Sequence, residues 1–310
     1  MANLIVMRRY SIWVLLLAFL ISSCGNRSGT GAGERVITVT IPPFAWFVEG
    51  IAGDDFTVNV LLPNGADHHI WEPLPAQINS LSGSEALIIN GKLGFEEAWM
   101  KRFMQVNPDM KVLDLSLNIQ LIGSDGLMVG ESEGPEGGHD EHNHEGHTHG
   151  GPDPHYWMSP SAAIIMARDI KDFLTELNPE SSEKYEASLV LLNRRISEVD
   201  SLVRVAVASA PNKTVMIYHP ALAYMGRDYG FEQVSFEDEG KSPSPARMKQ
   251  LIDLAREKEI KTIFIQAEYD LRNAKSLSVE TGAELIVINP MNRNWPEAVV
   301  EVAKAIGSQQ

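Results

Sequence analysis

Seven apolar residues, Tyr185, Leu189, Leu192, Ile196, Val199, Val203 and Val207, follow one another at spacings of 4, 3, 4, 3, 4 and 4. Such positions share one face only on an α-helix. The run predicts a helix of about 30 residues, which at ~1.5 Å per residue is about 45 Å long. A second helical stretch, Pro160–Leu177, precedes it, and Asn178-Pro179 offers an N-cap and first-turn proline between the two. A helix of this length fixes the distance between whatever folds at its two ends.

On either side of it the pattern alternates. Before it, strands are predicted at Val36–Ile41, Phe56–Leu62, Ala86–Ile89 and Lys111–Leu115, with helices from Pro42 to Gly53 and over Phe95–Phe103. After it, strands are predicted at Thr214–Tyr218, Phe231–Phe236, Thr262–Ile265 and Leu285–Ile288. Helices are expected near Ala221–Tyr229, Pro245–Lys258, Leu271–Thr281 and Pro296–Ile306. Strands alternating with helices indicate βαβ units and parallel sheets. The expected fold class is therefore α/β, with two lobes of mainly parallel sheet. The expected division is an N-terminal lobe over 35–159, a helical segment over 160–210 and a C-terminal lobe over 211–310.

Two regions fall outside this pattern. Between 123 and 154 glycine, glutamate and histidine dominate, which reads as a low-complexity insert in the first lobe. At the start, Arg8 and Arg9 precede an apolar run from Ile12 to Ile21, then Ser22, Ser23 and Cys24. A positive segment, a short apolar core and small residues make a secretory signal over 1–23. Ile21-Ser22-Ser23-Cys24 resembles a bacterial lipobox, which implies lipidation at Cys24, with 24–34 as a flexible tether. The chain is expected outside the cytoplasm, anchored to a membrane of a bacterial envelope. Its single cysteine excludes a disulfide framework and a cysteine-rich zinc ribbon. Its 26 basic against 41 acidic residues make phosphate-driven binding of nucleic acid a poor fit.

The chemistry rests with the nine histidines. His69 follows the second strand, and His219 follows the strand ending at Tyr218. Ligands of open α/β sheets bind outside the carboxyl ends of strands, so each lobe offers one imidazole to a crevice. His155 lies in Asp153-Pro154-His155-Tyr156-Trp157, just ahead of a helix. Three convergent imidazoles suit a metal, and nitrogen donors favour zinc. Five more, His139, His142, His144, His147 and His149, alternate with Asp140, Glu141, Glu145 and glycine in the insert, where secondary metal binding is expected.

At these residues the chain resembles a known family. Pro63-Asn64-Gly65-Ala66-Asp67-His68-His69-Ile70-Trp71-Glu72-Pro73 looks like the "PxGxxxHxYEP" segment of the zinc/manganese solute-binding lipoproteins of ABC importers. Asp153 to Pro160 resembles that family's "DPHxWxxP", and Tyr218 to Gly230 its "HxAfxYfxxxYG". The segment from Glu239 to Pro245 and the helix after it also fit. The resemblance covers essentially all of the chain after the signal. It implies two lobes joined by one long rigid helix, metal in the cleft between them, and His69, His155 and His219 as ligands. It also implies a permease partner, and a monomer is expected. Histidine at the third position points to zinc over manganese. The fourth position is open to His68, to Asn289 after the last strand, to a loop histidine or to water. Glu72 is a candidate for orienting an imidazole.

Two other readings remain. One is a manganese or iron receptor of the same family. The other is a secreted zinc hydrolase, but the chain has no HExxH and no G-x-S-x-G. Gly240-Lys241-Ser242 superficially suggests a P-loop, yet Ser235 stands where its first glycine belongs. Binding rather than catalysis is expected.

Overall fold

Two four-stranded sheets, both entirely parallel, carry the same strand order, and a helix of 27 residues runs between them in sequence. The structure is a computed structural model and describes residues 34–123, 151–237 and 243–308. The signal segment with Cys24, the five loop histidines and Gly240-Lys241 lie outside the described residues. Among the described residues no helix is long and apolar enough to cross a membrane.

The first sheet comprises β1 (Val36–Val39), β2 (Thr57–Val60), β3 (Ser84–Ile89) and β4 (Lys111–Asp114), ordered β2-β1-β3-β4. The second comprises β5 (Thr214–Ile217), β6 (Glu232–Ser235), β7 (Thr262–Gln266) and β8 (Glu284–Ile288), ordered β6-β5-β7-β8. Every residue of β5 and β7 is buried, whereas the edge strands β6 and β8 are mostly part-exposed. Central strands of a parallel sheet are covered by helices on both faces, which is why they read as unbroken apolar runs. In both sheets the chain leaves the first strand to one side and returns on the other. A crevice therefore opens at the carboxyl ends of β1 and β3, and of β5 and β7.

The helices are α1 (Pro42–Ala52), α2 (Pro75–Ser80), α3 (Gly94–Val106), α4 (Pro160–Leu177), α5 (Ser182–Ala208), α6 (Ala223–Tyr229), α7 (Pro245–Glu257), α8 (Leu271–Thr281) and α9 (Trp295–Gly307). All seven apolar residues of the long-helix pattern are buried in α5. That face packs on α4, α9 and α1. The junction before α5 differs from expectation. A 3-10 turn, Pro179–Ser181, intervenes, and the Asn178 side chain bonds Ser181 Oγ (2.9 Å) and the Tyr185 hydroxyl (3.2 Å) instead of capping the long helix. The six-residue α2 was not anticipated, being too short to show a period.

From Arg35 onward the chain makes one compact unit. One apolar cluster extends from β1 and β3 through α1, α4 and α5 into α9, and a smaller one fills the space around β7, α7 and α8. The two lobes are thus distinct as sheets but share a core. Trp157 and Trp295 lie at the seam. The Trp157 indole N–H donates to Pro290 O (3.0 Å), and the Trp295 indole N–H donates to Trp157 O (2.6 Å). Trp295 also packs on Trp46 and Phe47 of α1, each at 5.3 Å between centroids. Arg293 pairs with Glu49 across the same seam.

A buried carboxylate fixes the end of β3. Glu96 accepts the backbone N–H of Asn90 (2.8 Å) and of Gly91 (2.6 Å). Gly91 has φ +82, and a Cβ there would lie 2.0 Å from Asp114 Oδ1, so the turn requires glycine. Burial pushes the Glu96 carboxyl up to about 7, partly offset by these hydrogen bonds. Between its ordinary value of 4.5 and about 7, the folded chain keeps a proton that the unfolded chain has released. Stability contributed at this site therefore falls as pH rises through that window. Glu96→Gln removes the titration. Its stability relative to wild type should improve by roughly 2.5 kcal/mol from pH 5 to pH 8 in urea unfolding. A gap independent of pH would mean that Glu96 titrates as an ordinary carboxyl.

Candidate metal centre

The turn after β2 delivers two adjacent imidazoles. Gly65 takes φ +75, and Asp67 O accepts the N–H of Ile70 and Trp71 in a helical turn. Asp67 Oδ1 also accepts the His69 N–H at 2.9 Å. Successive side chains in such a turn diverge by about 100°, not by the 180° of a strand. His68 and His69 can therefore face a common point, and their ring centroids are 4.1 Å apart.

His155 opens the 3-10 turn His155–Met158. Asp153 Oδ1 accepts both the His155 backbone N–H and the ring Nδ1–H, each at 2.8 Å. This segment is held from both lobes. Asn90, at the end of β3, donates Nδ2–H to Pro154 O (3.0 Å) and accepts the Tyr156 hydroxyl (2.7 Å). Tyr224, on α6, donates its hydroxyl to Asp153 O (2.7 Å). His219 follows β5. Gln266, at the end of β7, accepts its N–H (3.3 Å) and donates to its carbonyl (2.7 Å), which fixes the backbone at the switch point of the second sheet. His219 Nδ1 meets Glu237 Oε1 at 2.7 Å.

The four outer nitrogens converge. His68 Nε2 lies 3.0 Å from His155 Nε2, His155 Nε2 lies 3.2 Å from His219 Nε2, and His219 Nε2 lies 2.8 Å from His69 Nε2. Four nitrogens at ~2.0–2.1 Å from a tetrahedral zinc are about 3.3–3.4 Å apart, so the cluster fits after an expansion of a few tenths of an ångström. His68, His155 and His219 are buried, and His69 is the most open of the four. Carboxylates hold Nδ1–H on His155 and His219, so their Nε2 lone pairs face one another at 3.2 Å. Two acceptors in that position cannot satisfy each other and are open to a metal ion or to the N–H of His68 and His69.

Charge agrees with this geometry. Burial drives His68 well down, helped by its three histidine neighbours. His69 is pushed down to about 2, by burial and then by His219 and His155. His155 is lowered by burial in spite of Asp153. Neutral imidazoles keep their lone pairs for a metal. Asp153 and Glu237 stand directly behind the ring nitrogens of His155 and His219, so the cluster is backed by acidic groups.

The structure brings together His69, His155 and His219, and with them His68. Asn289 is exposed, and its Oδ1 accepts the Met291 N–H in a local turn (3.1 Å). Glu72 is also exposed. Glu72 was a candidate for orienting an imidazole; among the described residues the carboxylates that meet imidazole nitrogens are Asp153 and Glu237. Asp153 was legible two residues before His155. Glu237 is 18 residues from His219 and becomes its neighbour only because β5 pairs with β6. A pocket opens onto the cluster. Its lining includes His69, His155, His219 and Glu237, and also Gly123 and Gly151, the described residues on either side of 124–150, where the five loop histidines lie.

Residues 37–306 match the model of the family described as zinc-uptake complex component A, periplasmic (ZnuA). The zinc-binding lipoprotein AdcA of Streptococcus pneumoniae (strain ATCC BAA-255 / R6) is 26% identical over 278 residues, which cover 89% of this chain and 54% of that protein. The chain thus spans about half the length of that relative. The manganese-binding lipoprotein MntA of Halalkalibacterium halodurans is 24% identical over 287 residues, covering 89% of this chain and 86% of MntA. A crystal structure of ZnuA superposes with a TM-score of 0.79 at 30% identity, covering 89% of this chain and 99% of that one.

Hydrogen bonds to the far nitrogen of a ligand imidazole hold its tautomer and raise its basicity. Asp153→Asn and Glu237→Gln should each weaken zinc binding by about 10–100-fold in competitive titration, with the fold retained. Unchanged affinity in both variants would show that these carboxylates do not support the centre.

Proposed function

The chain belongs to the family of the periplasmic zinc-uptake component A, and from that premise we propose that it is an extracytoplasmic zinc receptor. It captures zinc with His69, His155 and His219, takes His68 as fourth donor, and passes the metal to the permease of an ABC importer. The observation that carries this reading is the convergence of four imidazoles, with a carboxylate behind two of them. Nitrogen donors suit zinc, whereas manganese favours shells rich in carboxylate oxygen. The zinc-binding relative supports the same choice. The similarity to MntA keeps manganese as the alternative, but the donor set argues against it. The zinc-hydrolase alternative finds no support in the family or its relatives.

Several finer features belong to this reading. Cys24 carries the lipid anchor and 24–34 is the tether. The working form is a monomer with an N-terminal lobe, a helical connection and a C-terminal lobe. The histidines of the insert, His139 to His149, act as a secondary, weaker collecting site. The positions of Gly123 and Gly151 on the pocket wall support this, because the insert leaves and rejoins the chain beside the cluster.

Zinc and manganese titrations of a chain beginning after Cys24 test the proposal. One tight zinc site is expected, with manganese far weaker. His69→Ala, His155→Ala and His219→Ala should each lose tight binding, and deletion of 138–150 should preserve it. Tight zinc binding that survives all three substitutions would move the site to the insert and sink the proposal.

A further inference from the structure

The four imidazoles differ in what their second nitrogen meets. Those of His155 and His219 donate to Asp153 and Glu237. His69 is half-buried and lines the open pocket, where water can serve its second nitrogen. His68 is 2% exposed, and its Nδ1 is buried with no hydrogen-bond partner among the described residues. Its ring sits among His69, His155 and the Trp157 indole, the last at 5.9 Å between centroids.

A neutral imidazole carries one N–H. When the cluster holds no metal, His68 Nε2–H can donate to the His155 Nε2 lone pair across 3.0 Å. Its Nδ1 is then an unpaired acceptor, the milder kind of orphan. Coordination through Nε2 requires the proton on Nδ1 instead. The ring neither gains nor loses a proton overall, but a satisfied donor becomes a buried donor with no acceptor. His155 and His219 need no such change, because their Nδ1 protons are already held. Coordination by His68 therefore carries a cost that the other imidazoles escape.

We infer that His68 is the exchangeable donor of the centre: it closes the fourth position on resident zinc and yields it to water or another nitrogen donor as the metal leaves. The inference rests on the zinc-receptor reading above. It gives a receptor that must release its cargo one deliberately weak bond, placed at the closed side of the cluster, while the carboxylate-held pair retains the ion until the last step.

The test uses zinc-loaded chain in competition with a chromogenic chelator, with stopped-flow measurement of zinc loss. His68→Ala, His68→Phe and His155→Ala are compared with wild type; the phenyl ring keeps the volume of the imidazole without a donor. Both His68 variants should weaken zinc by about tenfold or less and speed its loss by a similar factor. His155→Ala should weaken it by about a hundredfold or more. X-ray absorption at the zinc edge should show one imidazole replaced by an oxygen in the His68 variants. Losses in both His68 variants equal to that of His155→Ala would overturn the inference, since His68 would then be a full-strength ligand. Unchanged affinity and release would overturn it too, since His68 would then not be a ligand. If His155→Ala also keeps tight zinc, the receptor reading falls and this inference falls with it.

Discussion

Two hydrogen bonds govern the centre: His155 Nδ1 to Asp153 and His219 Nδ1 to Glu237. Each fixes a tautomer, and each points a lone pair at the same small volume. Without them two neutral imidazoles at 3.2 Å could settle into an N–H···N pair and show no demand for a cation. With them the gap between Nε2 atoms has no proton of its own. Burial reinforces the effect, because protonating an imidazole there would place a charge in a low dielectric. A metal ion answers both requirements, since it takes up both lone pairs without protonating either ring.

The rest of the fold brings those two bonds to one place. The repeated strand order gives each sheet a crevice at the carboxyl ends of its central strands. Asn90 occupies the first crevice and grips the His155 segment, while Gln266 occupies the second and grips the His219 backbone. Glu237 reaches His219 because β6 lies beside β5 and ends level with it. Strand ends therefore supply His219 and the residues that grip the site, Asn90 and Gln266, while turns supply His68, His69 and His155.

Much of this was legible in the sequence, for identifiable reasons. The α5 face showed itself because helical period survives over seven positions, and the eight strands because β-branched runs alternate with helical ones. His69, His155 and His219 stood out as imidazoles at strand ends or ahead of a helix. What could not be read depended on approach in space. Glu237 gains its role from pairing between strands. His68 faces inward because of a turn whose geometry depends on Gly65 and Asp67. Glu72 shows the converse: nearness to His69 in sequence put it under consideration, yet its side chain faces solvent. The junction at Asn178 failed at the level of a single cap, where a 3-10 turn and a helical first turn look alike in sequence.

Shared core between the lobes bears on how a bound ion gets out. Prising the sheets apart would expose Trp157 and Trp295, whose burial contributes roughly 4–6 kcal/mol each. It would also break the indole bonds to Pro290 O and Trp157 O, about 1 kcal/mol apiece. The total is of the order of the whole stability of a domain, so wide hinge opening is a costly route. Rearrangement at the cluster is cheaper. His69, Gly123 and Gly151 line the pocket, while His68 is fully buried among the other rings. Exchange through that pocket leaves the tryptophan seam and α5 undisturbed. The long helix then acts as a strut that keeps the two strand-end crevices in register, and under the proposed function ligand bonds at the cluster would govern exchange of the metal.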